Sequence, residues 1–152
     1  LLVVVVAFGF LSTDLGQASI FRIPTVQNRE PQAGVTFDNL SNIGTNFHWN
    51  SNANGYTLIG TSLCFEKYNP GGIFCSDFTT DSFLQVGGTA PLGWDDILNS
   101  LYGDVWPAEA NLSWHVESHY KRRIGGGTFF VKSKVWPVTL KTNQNSGTPT
   151  AR

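Results

Sequence analysis

The sequence predicts an all-β domain, a sandwich or barrel of short strands with one helix and one disulfide. Three observations carry this. Turn residues recur roughly every ten positions, the spacing of sandwiches and barrels. The composition is rich in Gly, Asn, Ser and Thr, carries eleven Phe and five Trp, and has few Lys and Glu, a balance that disfavours helices and favours strands joined by turns. Finally, the only two cysteines, Cys64 and Cys75, flank CFEKYNPGGIFC, in which Asn-Pro-Gly-Gly sits between two short apolar arms. One bridge stapling a hairpin or Ω-like loop is the simplest reading.

The chain opens LLVVVVAFGFLSTDLGQAS, an apolar run, a polar stretch, then small residues at Gly16 and Ala18. This reads as a secretory signal over residues 1–18, cut between Ala18 and Ser19. A buried N-terminal strand is the other reading, since Val3 to Val6 have strong β-propensity. The run of about 11 apolar residues is too short for a transmembrane helix, which needs about 20, so no stable membrane span is expected. The chain has no methionine, and the expectation is that the basic start of the signal precedes Leu1. Export to an oxidising compartment agrees with the cysteine pair. A thiol zinc site would need more cysteines at close spacing.

From Ser19 the expected strands are SIFRI, VTFDNL, NFHW, YTLIGTSLCF, IFCSDF, SFLQV, ANLSWHVESHY, GTFFVKSKVW and PVTLKTN, separated by PQAG, NSNANG, NPGG and similar turns. The one helix falls on GWDDILNSLYG: Trp94, Ile97, Leu98 and Leu101 lie at i, i+3, i+4 and i+7, Asp95 and Asp96 occupy the first turn, and Gly103 follows the end. The domain spans residues 19–142. TNQNSGTPTAR has no apolar periodicity, so residues 143–152 read as a linker to a further domain. The net charge is −1 and only 14% of residues are charged, without the basic stripe of a nucleic-acid binder. Lys121, Arg122 and Arg123 form the one basic cluster, the solvated end of a strand.

This layout, with the Trp136-Pro137-Val138-Thr139-Leu140-Lys141 ending before a polar linker, resembles the N-terminal lectin domain of two-domain fimbrial tip adhesins of chaperone-usher pili. The resemblance covers most of Ser19 to Asn143. It implies an immunoglobulin-like or jelly-roll β-sandwich that binds a surface glycan or glycoprotein. It also implies export through the periplasm to a fimbrial tip, and a C-terminal pilin domain that engages the chaperone, the usher and other pilus subunits. Within this family the chain is most similar to the tip adhesin of mannose-resistant Proteus-like fimbriae, whose tip zinc is held by a His-x-His pair and a third histidine. His115 matches the third, while His48-Trp49-Asn50 supplies one histidine of the pair.

Two constellations follow. In the expected strand over residues 111–120, Leu112, Trp114, Val116 and Tyr120 share the core face, and Ser113, His115, Glu117 and His119 share the other. His115 and Glu117 are about 6.6 Å apart along a strand, close enough to hold one zinc, whereas His115 and His119 are about 13 Å apart. A metal therefore needs His115 with Glu117, or Glu117 with His119, plus a partner such as His48 from an adjacent strand. The alternative is a polar sheet face with no metal. A sugar site needs a flat apolar platform beside short polar side chains. Trp49 with Asn50, Asn52 and Asn54, Trp94 with Asp95, Asp96 and Asn99, and Trp106 are the candidates, though Trp94 also fits as the buried anchor of the helix and SNANG as a plain turn. Nucleophile-elbow, metalloprotease and phosphate-loop motifs are absent, and Ile124-Gly125-Gly126-Gly127 reads as a turn. A non-enzymatic binding domain is the expectation, with a small secreted hydrolase using Glu117 and Asp95 or Asp96 as the alternative.

Overall fold

The computed structural model describes residues 22–38, 44–68, 71–122 and 124–142. The expected signal segment 1–18 and linker 143–152 lie outside the described residues. The strands are β1 (Thr25–Glu30), β2 (Val35–Phe37), β3 (Thr45–Asn52), β4 (Thr57–Lys67), β5 (Gly72–Cys75), β6 (Phe83–Val86), β7 (Glu109–Lys121), β8 (Thr128–Lys132) and β9 (Trp136–Lys141), with one helix, α1 (Trp94–Tyr102). They form a sandwich of the predicted kind, with a three-stranded sheet ordered β1-β3-β6 and a six-stranded sheet ordered β2-β9-β7-β4-β5 to which β8 adds through β7.

Period-two alternation decides what meets between the sheets. β7 turns Leu112, Trp114, Val116 and Tyr120 inward, and all four are buried. β3 turns Phe47 and Trp49 inward from the other sheet. Phe47 meets Trp114 and Phe65 edge to face, with ring centroids at 5.0 Å and 5.3 Å. Hydroxyls add a second tie between the sheets: Ser51 Oγ and Ser118 Oγ are 2.9 Å apart, and Thr61 Oγ1 is 3.2 Å from Ser118 Oγ.

β7 is longer than any partner, and β8 and β9 share one of its edges. β9 pairs with residues 109–114 and β8 with residues 117–121, while β4 runs along the opposite edge. The segment expected as one strand, GTFFVKSKVW, therefore breaks at Ser133–Val135. Asn28 of β1 holds the break from the other sheet: its Nδ2 donates to Lys134 O at 2.8 Å, and its Oδ1 accepts from Ser133 Oγ at 2.6 Å. Ser133 Oγ in turn accepts from Val116 N at 2.9 Å.

The first described strand falls on TVQNRE, which is not among the expected strands; of SIFRI only Arg22 and Ile23 are described, ahead of β1, with Ile23 72% exposed. Only Val26 and Asn28 of β1 point inward, and the polar Asn28 is retained there because it satisfies the broken edge. The short turn at Ala53–Tyr56, with Asn54 and Gly55 both at positive φ, carries the chain from β3 in one sheet to β4 in the other.

The helix forms as its spacing predicts. Trp94, Ile97, Leu98 and Leu101 are buried, and α1 covers the part of β4 and β5 that the narrower sheet leaves bare. Its N-terminus is held by Gly93 N–H donating to Asp96 Oδ2 at 2.9 Å, and Gly103, at φ 73°, ends it. The disulfide joins Cys64 and Cys75, which face each other across the β4–β5 hairpin.

Candidate functional site

The two outer faces of the sandwich carry different chemistry. On the six-stranded sheet, outward residues of β4, β7 and β8 gather around His115. Its Nε2 lies 3.3 Å from Glu117 Oε1, and its Nδ1 lies 3.4 Å from Glu66 Oε1 without hydrogen-bond geometry. Lys132 Nζ pairs with Glu66 Oε1 at 2.7 Å. These chains and the adjacent disulfide roof the imidazole so completely that His115 is 0% exposed. The polar sheet face pairs His115 with Glu117 as expected, but His115 itself is sealed from water: an outward direction on a sheet does not expose a side chain that its long neighbours cover. Burial, reinforced by the Lys132 charge, pushes the His115 pKa below its ordinary value against the opposing pull of Glu117 and Glu66. The Lys132 hydrogen bond holds Glu66 below the usual carboxylate value.

The expected zinc set does not assemble. His115 and Glu117 do converge, with Cys64 as the third atom within 4.8 Å, but the Cys64 sulfur is consumed in the disulfide. His48 projects from the outer face of the other sheet, beyond the core, where its ring lies 5.5 Å from that of Phe83. His119 is taken up by Phe78 and Phe130, at 4.6 Å and 5.6 Å. Among the described residues Glu117 stands between His115 and His119, whose Nε2 lies 3.9 Å from Glu117 Oε2, and Glu66 is paired with Lys132, so the expected set of His115, Glu117 and His48 does not form.

The three-stranded sheet presents an open groove of about 580 Å³ on its outer face. Gln27 stands across from Asn50, and Thr25 across from Asn52, in antiparallel register. All four point outward because Val26, Asn28, Phe47 and Trp49 take the inward positions. Arg29 and Ser82 complete the polar lining. With the Asn50 amide oxygen turned toward Arg29, it accepts from Nη2 at 2.9 Å and Nε at 3.0 Å. On the same face, β3 and β6 set His48 against Phe83, which is 44% exposed. Planar amides, hydroxyls, a guanidinium and a half-open aromatic ring are the groups that grip sugar hydroxyls and C–H faces.

Of the residues expected to bind sugar, Asn50 and Asn52 present their side chains to the groove. Trp49 borders it but is 2% exposed, its ring committed to the core. Trp94 is 3% exposed and packs against Phe37, Phe47 and Phe65 at 5.6–5.9 Å, so it anchors the helix and offers no platform. Asp96 caps that helix and Asp95 sits in its first turn. Asn54 belongs to the turn, donating to Ile23 O at 2.7 Å. Trp106 Nε1 donates to Asn99 Oδ1 and Gly103 O at 2.9 Å and 3.0 Å, closing the end of the helix. The hydrolase pairing is split as well, since α1 is rooted on the inner side of the sheet and Glu117 stands on its outer side. Gln27 and Arg29 were missed because TVQNRE holds one apolar residue, and Phe83 because its strand SFLQV carries no polar pattern that marks a binding face. In β1 the signal was there as polar side chains at every second position, Thr25, Gln27 and Arg29.

Among the described residues no helix is long and apolar enough to cross a membrane. No protein-family model, no curated protein and no solved structure matches this sequence.

Proposed function

We propose that this chain is the receptor-binding domain of a fimbrial tip adhesin, attaching to a surface glycan or glycoprotein without catalysis. The observation that carries it is the outer face of the three-stranded sheet, where Gln27, Arg29, Asn50 and Asn52 form one polar groove beside the His48–Phe83 ring pair. Amides on neighbouring strands are held at fixed spacing by the backbone ladder, so they meet vicinal hydroxyls at little ordering cost. The fimbrial setting rests on the sequence layout: an export signal, a β-domain with one disulfide, the Trp136–Lys141 ending and a polar linker. In that setting the chain passes through the periplasm and is carried at the fimbrial tip. A further domain would meet the chaperone, usher and pilus subunits.

A glycan array probed with the purified protein, with and without chelator, tests the reading. Binding to a defined glycan subset that survives chelator and falls at least tenfold in Gln27→Ala or Asn50→Ala is expected. Absence of binding sinks the reading, and binding lost to chelator and restored by zinc would move the site to a metal.

A further inference from the structure

The groove holds one charge, and its placement is specific. Arg29 is the only charged residue among those lining it. In β1 the register runs from Asn28 opposite Trp49 directly to Glu30 opposite His48. Arg29 is thus the extra residue of a β-bulge, a device that re-aims a side chain out of the regular ladder. The Asn50 amide oxygen then fixes the Nε–Nη2 edge of the guanidinium, and Gln27 Oε1 lies 3.5 Å from Nη2. Among the described residues no carboxylate lies within ion-pair distance of this guanidinium. Nη1 meets no acceptor among the described residues, and a group arriving on the Nη1–Nη2 edge has only the long Gln27 contact to displace.

We propose that the groove selects a sugar bearing a carboxylate, a uronic or sialic-type acid, which pairs through both oxygens with the Nη1–Nη2 edge of Arg29. This rests on the glycan-binding reading above and narrows its ligand class. A planar carboxylate matches two parallel N–H donors in length and direction, and the charged hydrogen bonds are roughly twice as strong as neutral ones. A neutral sugar would cover the guanidinium without pairing it, which costs affinity. A polysulfated chain needs several cations in a row, and this groove has one. Gln27, Asn50 and Asn52 remain for the hydroxyls of the same ring.

The test uses matched oligosaccharides ending in glucuronic acid or in N-acetylneuraminic acid, each beside a counterpart whose carboxyl is reduced to CH2OH. Titration calorimetry reads the affinities for the wild type, Arg29→Lys, Arg29→Gln and Lys132→Gln, the last removing a cation from the opposite outer face. The wild type should prefer at least one acid over its reduced partner by tenfold or more. Arg29→Lys should lose most of that preference, Arg29→Gln all of it, and Lys132→Gln none, with circular dichroism showing all four folded. Equal binding of acid and reduced forms overturns the proposal while leaving the glycan reading standing, as does a preference that survives in Arg29→Gln. A preference lost equally in Lys132→Gln would show general electrostatic attraction and overturn it too. Failure to bind any glycan on the array overturns both.

Discussion

Phe47 and Trp114 meet edge to face, one from each sheet, with 5.0 Å between ring centroids. Because side chains alternate along a strand, the residues that follow them, His48 and His115, leave the sandwich in opposite directions. The core itself therefore separates two histidines that the sequence allows to share a metal. Adding zinc to the disulfide-bonded protein should leave its thermal midpoint unchanged. A saturable rise with zinc concentration would mean that ligands converge where this geometry parts them.

Trp94 touches three aromatic rings and is nearly inaccessible. Trp94→Ala should lower unfolding free energy by about 3–5 kcal/mol, the range for deleting a buried aromatic. Asp96→Ala, which frees only the cap at Gly93, should cost about 1 kcal/mol. Urea denaturation of both variants reads the difference, and similar small losses would show that Trp94 is no anchor.

Asn28 satisfies two groups at the break between β8 and β9, Ser133 Oγ and Lys134 O. Asn28→Ala leaves both in a buried setting and should cost about 1–3 kcal/mol. Hydrogen exchange should also speed at Val116 N–H, whose acceptor is Ser133 Oγ. Unchanged exchange there would argue that Ser133 holds its place alone.

His115 sets a pH dependence. In the unfolded chain its imidazole takes a proton at its ordinary value of 6.5, but in the folded chain only at lower pH, because of burial and the Lys132 charge. Between the two values the unfolded state holds more protons, so stability falls as pH drops below 6.5. Above it the ring is neutral in both states and contributes no slope. The loss can reach about 1.4 kcal/mol per pH unit and no more for one proton. Glu66, held below its ordinary value of 4.5, adds loss in the same direction only at more acidic pH. Chemical denaturation between about pH 7 and pH 5 should show a slope that His115→Gln flattens. Parallel curves would contradict the assignment.

The Cys64–Cys75 bridge closes a short loop, eleven residues in sequence separation. Replacing both with Ala should cost about 3 kcal/mol by the loop-entropy model. Groove binding should persist, since the groove lies on the other sheet. Loss of glycan binding in a variant that still folds would place the site near the disulfide instead.

What the sequence revealed follows its apolar pattern. The helix over Trp94–Tyr102, the core face of β7 and the disulfide were legible because each has a spacing or a count behind it. β1 was not, since Thr25–Glu30 contributes a single apolar side chain and is held by Asn28 through a contact 106 residues away in sequence. Trp49, Trp94 and Trp106 show why aromatic side chains mislead when a sugar platform is sought. The same ring suits a core and a binding face, and only the partner strand decides between them. His115 fell between the two readings considered for it. It points outward and is nonetheless sealed, because Glu66 and Lys132 come from strands whose pairing with β7 no local pattern announces.

The parallel pairing of β2 with β9, Val35 beside Val138 and Phe37 beside Leu140, has a consequence for the order of assembly. β2 has no other strand partner among the described residues, and β9 is the last of the described strands to leave the ribosome. During synthesis the early segment must wait, unpaired, until about a hundred further residues have emerged. Contacts this distant place the chain among slow folders, on the order of milliseconds to seconds. Throughout that interval residues 35–37 expose a free edge open to any extended segment that reaches them first.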